Sequence, residues 1–326
     1  MKKIDNEELK KLEVLYKLNK LTELEQETKK LLKFDKNNII LLNILGVIYL
    51  KNKFFEEAEL IFKKILQKQP KDKNALKNLG ETYRKSKKFS NAIKHYELYL
   101  KINPNDGEVI NNLASSYLKN KKYEEAVRYY KNLIKINPND QEYQTNLAGA
   151  LIESLNFEEG IELLEKLLDK NIDNRRALSS YLFNQNYNPK NNFKKISNYI
   201  KKFNESSKKR KLNIINFSFE KNPKKINIGF VSPDFRSHPV GYALTNVIKH
   251  LKSYNFILFG YYSFTLNDNL TNKFKKDFDY FYNITDMNDE QAINKIRSDG
   301  IHILIDLAGY TFNNRLSIFL NNPAPI

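Results

Sequence analysis

Small and apolar residues recur through the first half of the chain at a fixed offset of 34. Gly46, Gly80, Ala114 and Ala148 share one position, Tyr49, Tyr83, Tyr117 and Leu151 a second, and Ala58, Ala92, Ala126 and Gly160 a third. Pro70, Pro104 and Pro138 close the pattern. Each unit predicts a helix, a turn and a second helix: the small residue of the first helix lets the Ala of the second approach, the aromatic beside it fills the gap, and Pro stops the second helix. From residue 226 the period changes to alternating strands and helices. Strands are expected at 226–232, 256–263 and 301–309, with a weaker one in DYFYNIT; GYALTNVIKHLKSY, LTNKFKKDF and DEQAINKIRSDG read as the helices between them.

A 34-residue helix-turn-helix period is that of the tetratricopeptide repeat. Four units fall at 39–72, 73–106, 107–140 and 141–174. A degenerate unit within 1–38 has Leu12 where the small residue belongs, which suits an N-terminal cap. RRALSSYLFNQNYNPK begins like another first helix and leaves the repeat at Asn188-Pro189, so residues 175–225 read as transitional helices, one of them near 192–204, and a connector. Residues 226–326 predict a parallel, doubly wound α/β sheet, giving an α-solenoid followed by an α/β, Rossmann-like lobe.

Composition changes this picture little. At 326 residues and 41% hydrophobic the chain can fill two cores. It has no cysteine, so disulfides and thiolate metal sites are excluded and no metal site is expected. The start is charged throughout, and IILLNILGVIYL is too short to span a bilayer; a cytoplasmic protein without membrane partners is expected. The net charge is +17, of which residues 191–225 contribute +9 through ten Lys and one Arg against two Glu. That segment reads as a solvated basic linker. Lys dominance disfavours base readout, and nucleic acid is not the expected partner.

Two kinds of candidate chemistry remain. Asn78, Asn112 and Asn146 recur two positions before the small residue, where a row of primary amides on the inner surface can pair with the backbone of an extended peptide; Ile44 breaks the row in the first full unit. The other candidates lie in the loops SPDFRSHPVGY and DLAGYTFNNR, which follow strands, and open parallel sheets bind ligands beyond the carboxyl ends of their strands. His238 sits in the first of these loops. Asp234 and Asp306 are equally read as residues that cap turns, and His302 as a satisfied residue inside a strand.

The repeats, the connector YLFNQNYNP, the loop VSPDFRSHPVGY and the element DGIHILIDLAGYTFNNRL followed by NPAPI together closely resemble the O-GlcNAc transferase family, glycosyltransferases of GT-B architecture. The resemblance covers nearly the whole chain. It implies transfer of N-acetylglucosamine from UDP-GlcNAc to Ser or Thr of protein substrates fed along the repeats, with no further cofactor. By resemblance His238 is the cleft histidine and candidate base, and Pro239 and Gly241 shape its loop. Gly309, Tyr310 and Thr311 lie near the sugar and acceptor, with Asp306 just before them, and Asn78, Asn112 and Asn146 match the family's peptide-binding ladder. The family's second lobe, which holds the nucleotide, has no counterpart in these 326 residues. The expectation is therefore a truncated enzyme, silent toward UDP unless a separately encoded lobe completes it, or alternatively a non-catalytic peptide-binding scaffold.

Overall fold

The computed structural model describes residues 6–190, 192–208, 212–216, 223–311 and 313–326. It divides into two compact units, Met1–Leu163 and Leu164–Ile326.

The first unit is a series of antiparallel helix pairs: α1 (Asn6–Lys17) with α2 (Leu21–Leu32), α3 (Ile39–Lys51) with α4 (Phe55–Lys68), α5 (Lys73–Lys85) with α6 (Phe89–Leu100), α7 (Gly107–Lys119) with α8 (Tyr123–Ile136), then α9 (Gln141–Glu153) and the start of α10 (Phe157–Lys170). The 34-residue period governs more than the core. Asn38, Asp72, Asp106 and Asp140 each cap the first helix of a pair by accepting backbone N–H groups of its first turn, and Asn174 does the same in the second unit. The turn inside each pair is made by a residue of positive φ at Asn19, Lys53, Lys87, Lys121 and Leu155, again 34 apart.

The small first-helix residue does a different job from the one expected. A Cβ on Gly46 or Gly80 would fall 2.6 Å from ring carbons of Phe62 or Tyr96, so these glycines admit an aromatic ring of the second helix, not its Ala. In the fourth repeat the expected approach does occur, since a Cβ on Gly160 would lie 2.8 Å from the Ala148 carbonyl. Buried tyrosines keep their hydroxyls satisfied by carboxylates: Tyr83 donates to Glu59 at 3.0 Å, Tyr96 to Glu81 at 2.9 Å and Tyr99 to Asp106 at 2.7 Å.

The second unit holds the rest of α10, then α11 (Arg175–Gln185), α12 (Phe193–Lys208) and an α/β lobe. Tyr181 of α11 stacks edge-on against Tyr199 of α12, and their hydroxyls reach Glu165 and Asp169 of α10. α12 runs four residues past the expected helix end. The lobe comprises β1 (Ile226–Ser232), α13 (Pro239–Leu251), β2 (Phe256–Tyr262), α14 (Asn269–Asp277), β3 (Tyr280–Asn283), α15 (Asp289–Ser298), β4 (Ile303–Asp306) and the short α16 (Leu316–Phe319). The strands are all parallel in the order β3-β2-β1-β4. Leu244, Ile248, Leu270 and Phe274 of α13 and α14 pack with Ile228, Phe230 and Leu258, while Ala292, Ile293 and Ile296 of α15 pack with Val231, Phe259 and Leu304. An α-solenoid followed by a Rossmann-like sheet is the observed fold class.

Two local readings change. β4 is shorter than the expected 301–309, because Asp306 already closes a turn, and His302 lies just ahead of the strand. Its N–H donates to Asn227 O at 2.9 Å and its Nδ1 accepts from Asn227 N at 3.0 Å, so it is satisfied, as expected. Residues 212–216 of the connector are docked: Leu212 and Ile214 pack on the α15 side, Ile215 N donates to Asn294 Oδ1 at 2.9 Å, and Arg297 donates to Ile215 O at 2.7 Å. Two apolar residues in alternation are too short a period to stand out in a lysine-rich segment. The remainder of the connector's basic run, residues 209–211 and 217–222, lies outside the described residues.

Candidate functional site

The strand order reverses between β1 and β4: the chain leaves β1 toward β2 and β3, then returns to the other side of β1. Adjacent loops diverge at such a point and leave a crevice at the carboxyl edge of the sheet. The two loops singled out in the sequence are those on either side of it.

The first loop is held from within. Phe235 is fully buried, its ring 5.2–5.6 Å from those of Phe274, Phe278 and Phe281. With Phe235 pinned inward, Asp234 and Arg236 meet above it, Arg236 Nη2 donating to Asp234 Oδ1 at 3.0 Å. Asp234 N donates to Ser232 Oγ at 3.0 Å, and Ser237 N to Asp268 Oδ2 at 2.7 Å. Asp268 also caps α14; burial alone would raise its carboxyl, but the backbone donors Ser237 and Thr271 hold it down to about 2. His238 is the N-cap of α13 and Pro239 opens the helix, where a missing N–H costs nothing. A Cβ on Gly241 would strike the carbonyl oxygens of Arg236 and Asp234, so glycine lets the loop fold back on the first turn.

The second loop leaves β4 at Asp306, the register partner of Val231. Asp306 Oδ2 accepts from Gly309 N at 2.6 Å, and Gly309 takes φ +54°, where an L side chain is strained. Thr311 donates through its N–H and its Oγ to Ala308 O. The turn-capping role read for Asp306 is therefore present. Its other oxygen, Oδ1, is buried with no hydrogen-bond partner among the described residues, and burial raises its carboxyl above the ordinary range despite donors from Gly309 and Ala308. Tyr310 is 39% exposed. Ser263 at the end of β2 joins the edge together, its N–H donating to Ser232 O and its Oγ to Asn313 O, both at 3.0 Å. No hydrogen bond among the described residues links His238 to Asp306 or to Gly309–Thr311; they share the crevice edge through the β1–β4 pairing.

Beneath the second loop lies a polar network that sequence reading missed. Arg175 of α11 pairs with Asp289 Oδ2 at 2.6 Å and donates to Ser317 Oγ at 2.9 Å, Arg315 reaches Asp289 Oδ1 at 3.3 Å, and Asn314 donates to Ser179 Oγ at 3.0 Å. These partners are up to 142 residues apart in the chain, and no local pattern announces them.

In the first unit, Asn78, Asn112 and Asn146 are all half-buried on first helices. Asn146 Nδ2 donates to Asn111 Oδ1 at 3.0 Å, so part of its amide is engaged within the chain. Among the described residues no cluster of His, Asp and Glu could hold a metal, and no helix is long and apolar enough to cross a membrane.

Fold and crevice together define a repeat solenoid followed in the chain by a Rossmann-like α/β lobe. Residues 199–326 match the family described as glycosyl transferase family 41, residues 117–180 match a tetratricopeptide repeat family, and residues 13–147 match the C-terminal ARM domain of tetratricopeptide repeat protein 21. The chain is 33% identical over 108 residues to a UDP-N-acetylglucosamine--peptide N-acetylglucosaminyltransferase of Caenorhabditis elegans, a match covering 32% of this chain and 9% of the relative. Its fold is similar to that of a Thermobaculum terrenum O-GlcNAc transferase variant, with a TM-score of 0.65 at 23% identity over 78% of this chain and 49% of that one. A tetratricopeptide repeat protein from Parabacteroides merdae matches 54% of the chain, with a TM-score of 0.50 at 18% identity. The resemblance to O-GlcNAc transferases carried by the two loops is thus met in both family and fold, and the matched part spans about a tenth of the curated relative's length.

Proposed function

We propose that this chain is the repeat and acceptor-side part of a protein O-GlcNAc transferase-type glycosyltransferase, which moves N-acetylglucosamine from UDP-GlcNAc to Ser or Thr hydroxyls of protein substrates in the cytoplasm. One observation carries the reading: the loops of His238 and of Gly309–Thr311 flank the strand-order reversal and both fall inside the stretch that matches glycosyl transferase family 41.

In this reading the repeats hold the polypeptide, with Asn78 and Asn112 pairing with its backbone. His238 stands at the acceptor side and takes the hydroxyl proton as the oxygen attacks the anomeric carbon and the bond to the diphosphate breaks. The Gly309 turn leaves the backbone open to a sugar, since among the described residues nothing beyond its two chain neighbours lies within 4 Å of where its Cβ would be. Tyr310 and Thr311 border the same space, with the Asp306 carboxyl beneath.

The test is transfer of radiolabelled GlcNAc from UDP-GlcNAc to a Ser/Thr peptide pool by the protein expressed from its full reading frame. Wild type should transfer, and His238→Ala should lower turnover by about a hundredfold while leaving UDP affinity within twofold. Peptide binding without transfer or UDP affinity would replace the enzyme by a peptide-binding scaffold. Loss of UDP affinity in the His238 variant would move that residue away from the acceptor side.

A further inference from the structure

His238 Nδ1 has two competitors. It lies 3.4 Å from Val240 N, as the cap of α13, and 3.5 Å from Asp234 Oδ2. A single ring nitrogen cannot serve both in one protonation state, because the Val240 N–H needs a lone pair and the Asp234 carboxylate needs a proton donor. The choice has a chemical consequence. With the proton on Nδ1, the ring donates to Asp234 and Nε2 keeps its lone pair. With the proton on Nε2, Nδ1 caps the helix, and the far side of the ring can only donate. Only the first tautomer can take a proton from an acceptor hydroxyl.

The two distances are nearly equal, so they do not decide between the tautomers; charge does. A hydrogen bond to an ionised carboxylate is roughly twice as strong as one between neutral groups. Asp234 is also held in place. It is 4% exposed, Arg236 grips its Oδ1, its N–H is tied to Ser232 Oγ, and the next residue is the buried ring of Phe235. Its carbonyl rests where a Cβ on Gly241 would intrude, so the carboxylate and the first turn of α13 are locked in register. The Val240 N–H, by contrast, lies at a helix end, where water can take the place of the cap.

We propose that Asp234 is a positioning residue that holds His238 in its Nδ1–H tautomer, with Arg236 orienting the carboxylate, and so leaves Nε2 as the base. The inference deepens the reading of His238 in the proposed transfer and rests on it for its purpose. When Nε2 accepts the hydroxyl proton, the ring becomes a cation whose Nδ1–H still faces Asp234, and the carboxylate stabilises the charge it has oriented. Asp268 acts one step further out, tying Ser237 and hence the loop to α14.

The tautomer can be read without any catalysis. These 326 residues hold four histidines, so long-range ¹H–¹⁵N spectra of this polypeptide labelled at the imidazole nitrogens give four ring patterns, and His238→Gln identifies one of them. At about pH 8.5, above the ordinary imidazole range, His238 should show a protonated Nδ1 and a bare Nε2. In Asp234→Asn, which keeps the shape and loses the charge, the ratio of the two tautomers should fall at least fivefold toward Nε2–H. A wild-type ring protonated on Nε2, or an unchanged ratio in Asp234→Asn, would overturn the proposal. If the variant gives the collapsed spectrum of an unfolded chain, the wild-type tautomer decides alone. Failure of the transfer assay with a protonated Nδ1 would remove the enzyme reading and leave the Asp234–His238 pair standing; transfer by an enzyme whose His238 carries its proton on Nε2 would do the reverse.

Discussion

Asp289→Asn is the sharpest perturbation of the second unit, because one carboxylate serves two guanidinium groups there. The Asp289 side chain is 15% exposed, pairing with Arg175 at 2.6 Å and Arg315 at 3.3 Å. Breaking a buried pair from one side costs roughly 3–5 kcal/mol, since the partner charge is stranded. Arg315 keeps its bonds to the Ile284 and Met287 carbonyls, and Arg175 is 42% exposed, so its share is that of a surface pair, under about 1 kcal/mol. A net loss of about 2–3 kcal/mol follows, including a few tenths from the charge in the first turn of α15. Hydrogen exchange read by mass spectrometry localises the effect where a whole-chain melt of two units would blur it. Amides of α11 and α15 should exchange about 30- to 150-fold faster at pH 7, those of α5 and α7 within twofold of wild type. Burial alone would raise the Asp289 carboxyl, but Arg175, Ser317 and Arg315 bring it below its ordinary value. The stabilisation is therefore complete above the unfolded carboxylate range and is lost as pH falls through the lower folded value. In exchange of α11 and α15 corrected for the intrinsic pH dependence of amide exchange, the gap between variant and wild type should stay constant from pH 7 to pH 5 and close only below about pH 4. Exchange of α11 and α15 within threefold of wild type would refute the idea that this carboxylate ties α11 to the lobe.

Three other outcomes are expected. Leu155 takes φ +67° while 91% exposed, so Leu155→Asn should relieve αL strain without losing packing and stabilise the first unit by about 1 kcal/mol in a urea melt; a destabilised variant would contradict this. Phe235→Ala empties the centre of an aromatic cluster and should cost about 3–5 kcal/mol; in the folded variant the His238 ring signals should broaden, and a sharp, unshifted His238 would deny Phe235 its anchoring role. Under the proposed function, Asn78→Ala with Asn112→Ala removes about 2 kcal/mol of amide pairing and should weaken extended-peptide binding about thirtyfold by calorimetry. Asn146→Ala should do less, its amide being partly engaged with Asn111; equal losses at all three sites would refute that distinction.

The repeat period was legible because a solenoid writes the same packing problem again in every unit. Gly, Tyr, Ala and Pro mark the helices, while two further 34-residue series are less visible in the sequence: the caps at Asn38, Asp72, Asp106, Asp140 and Asn174, and the left-handed turn at Asn19, Lys53, Lys87, Lys121 and Leu155. The turn series hides because its residue types share only exposure and a backbone angle. The partner of Gly46 and Gly80 is hidden for a related reason. Spacing shows that two positions recur, whereas which side chain enters the gap depends on the direction in which Phe62 and Tyr96 leave their helix.

The candidate site divides along the same line. Both loops could be placed at the carboxyl edge because alternating strands and helices impose a parallel sheet, and the crevice follows from the order in which strands pair. That order needs the structure: β4 could have joined beyond β3, and the two loops would then have been separated by two strands. Asp234 shows the limit within a single loop. Read by type it is an ordinary turn residue, one of two such aspartates, and Asp306 does cap a turn. What distinguishes them is the neighbour that burial forces on each. Phe235 is driven inward by its apolar ring, which turns its flanking residues up together and sets the Asp234 carboxylate within 3.5 Å of the ring of His238, four residues on. Among the described residues Asp306 has no such companion, and its Oδ1 is buried without a hydrogen-bond partner. The placement of an aspartate here thus depends on where a neighbouring phenylalanine must go, and under the proposed role of Asp234 replacing Phe235 should disturb the His238 tautomer even though the rings of Phe235 and His238 carry no chemistry in common.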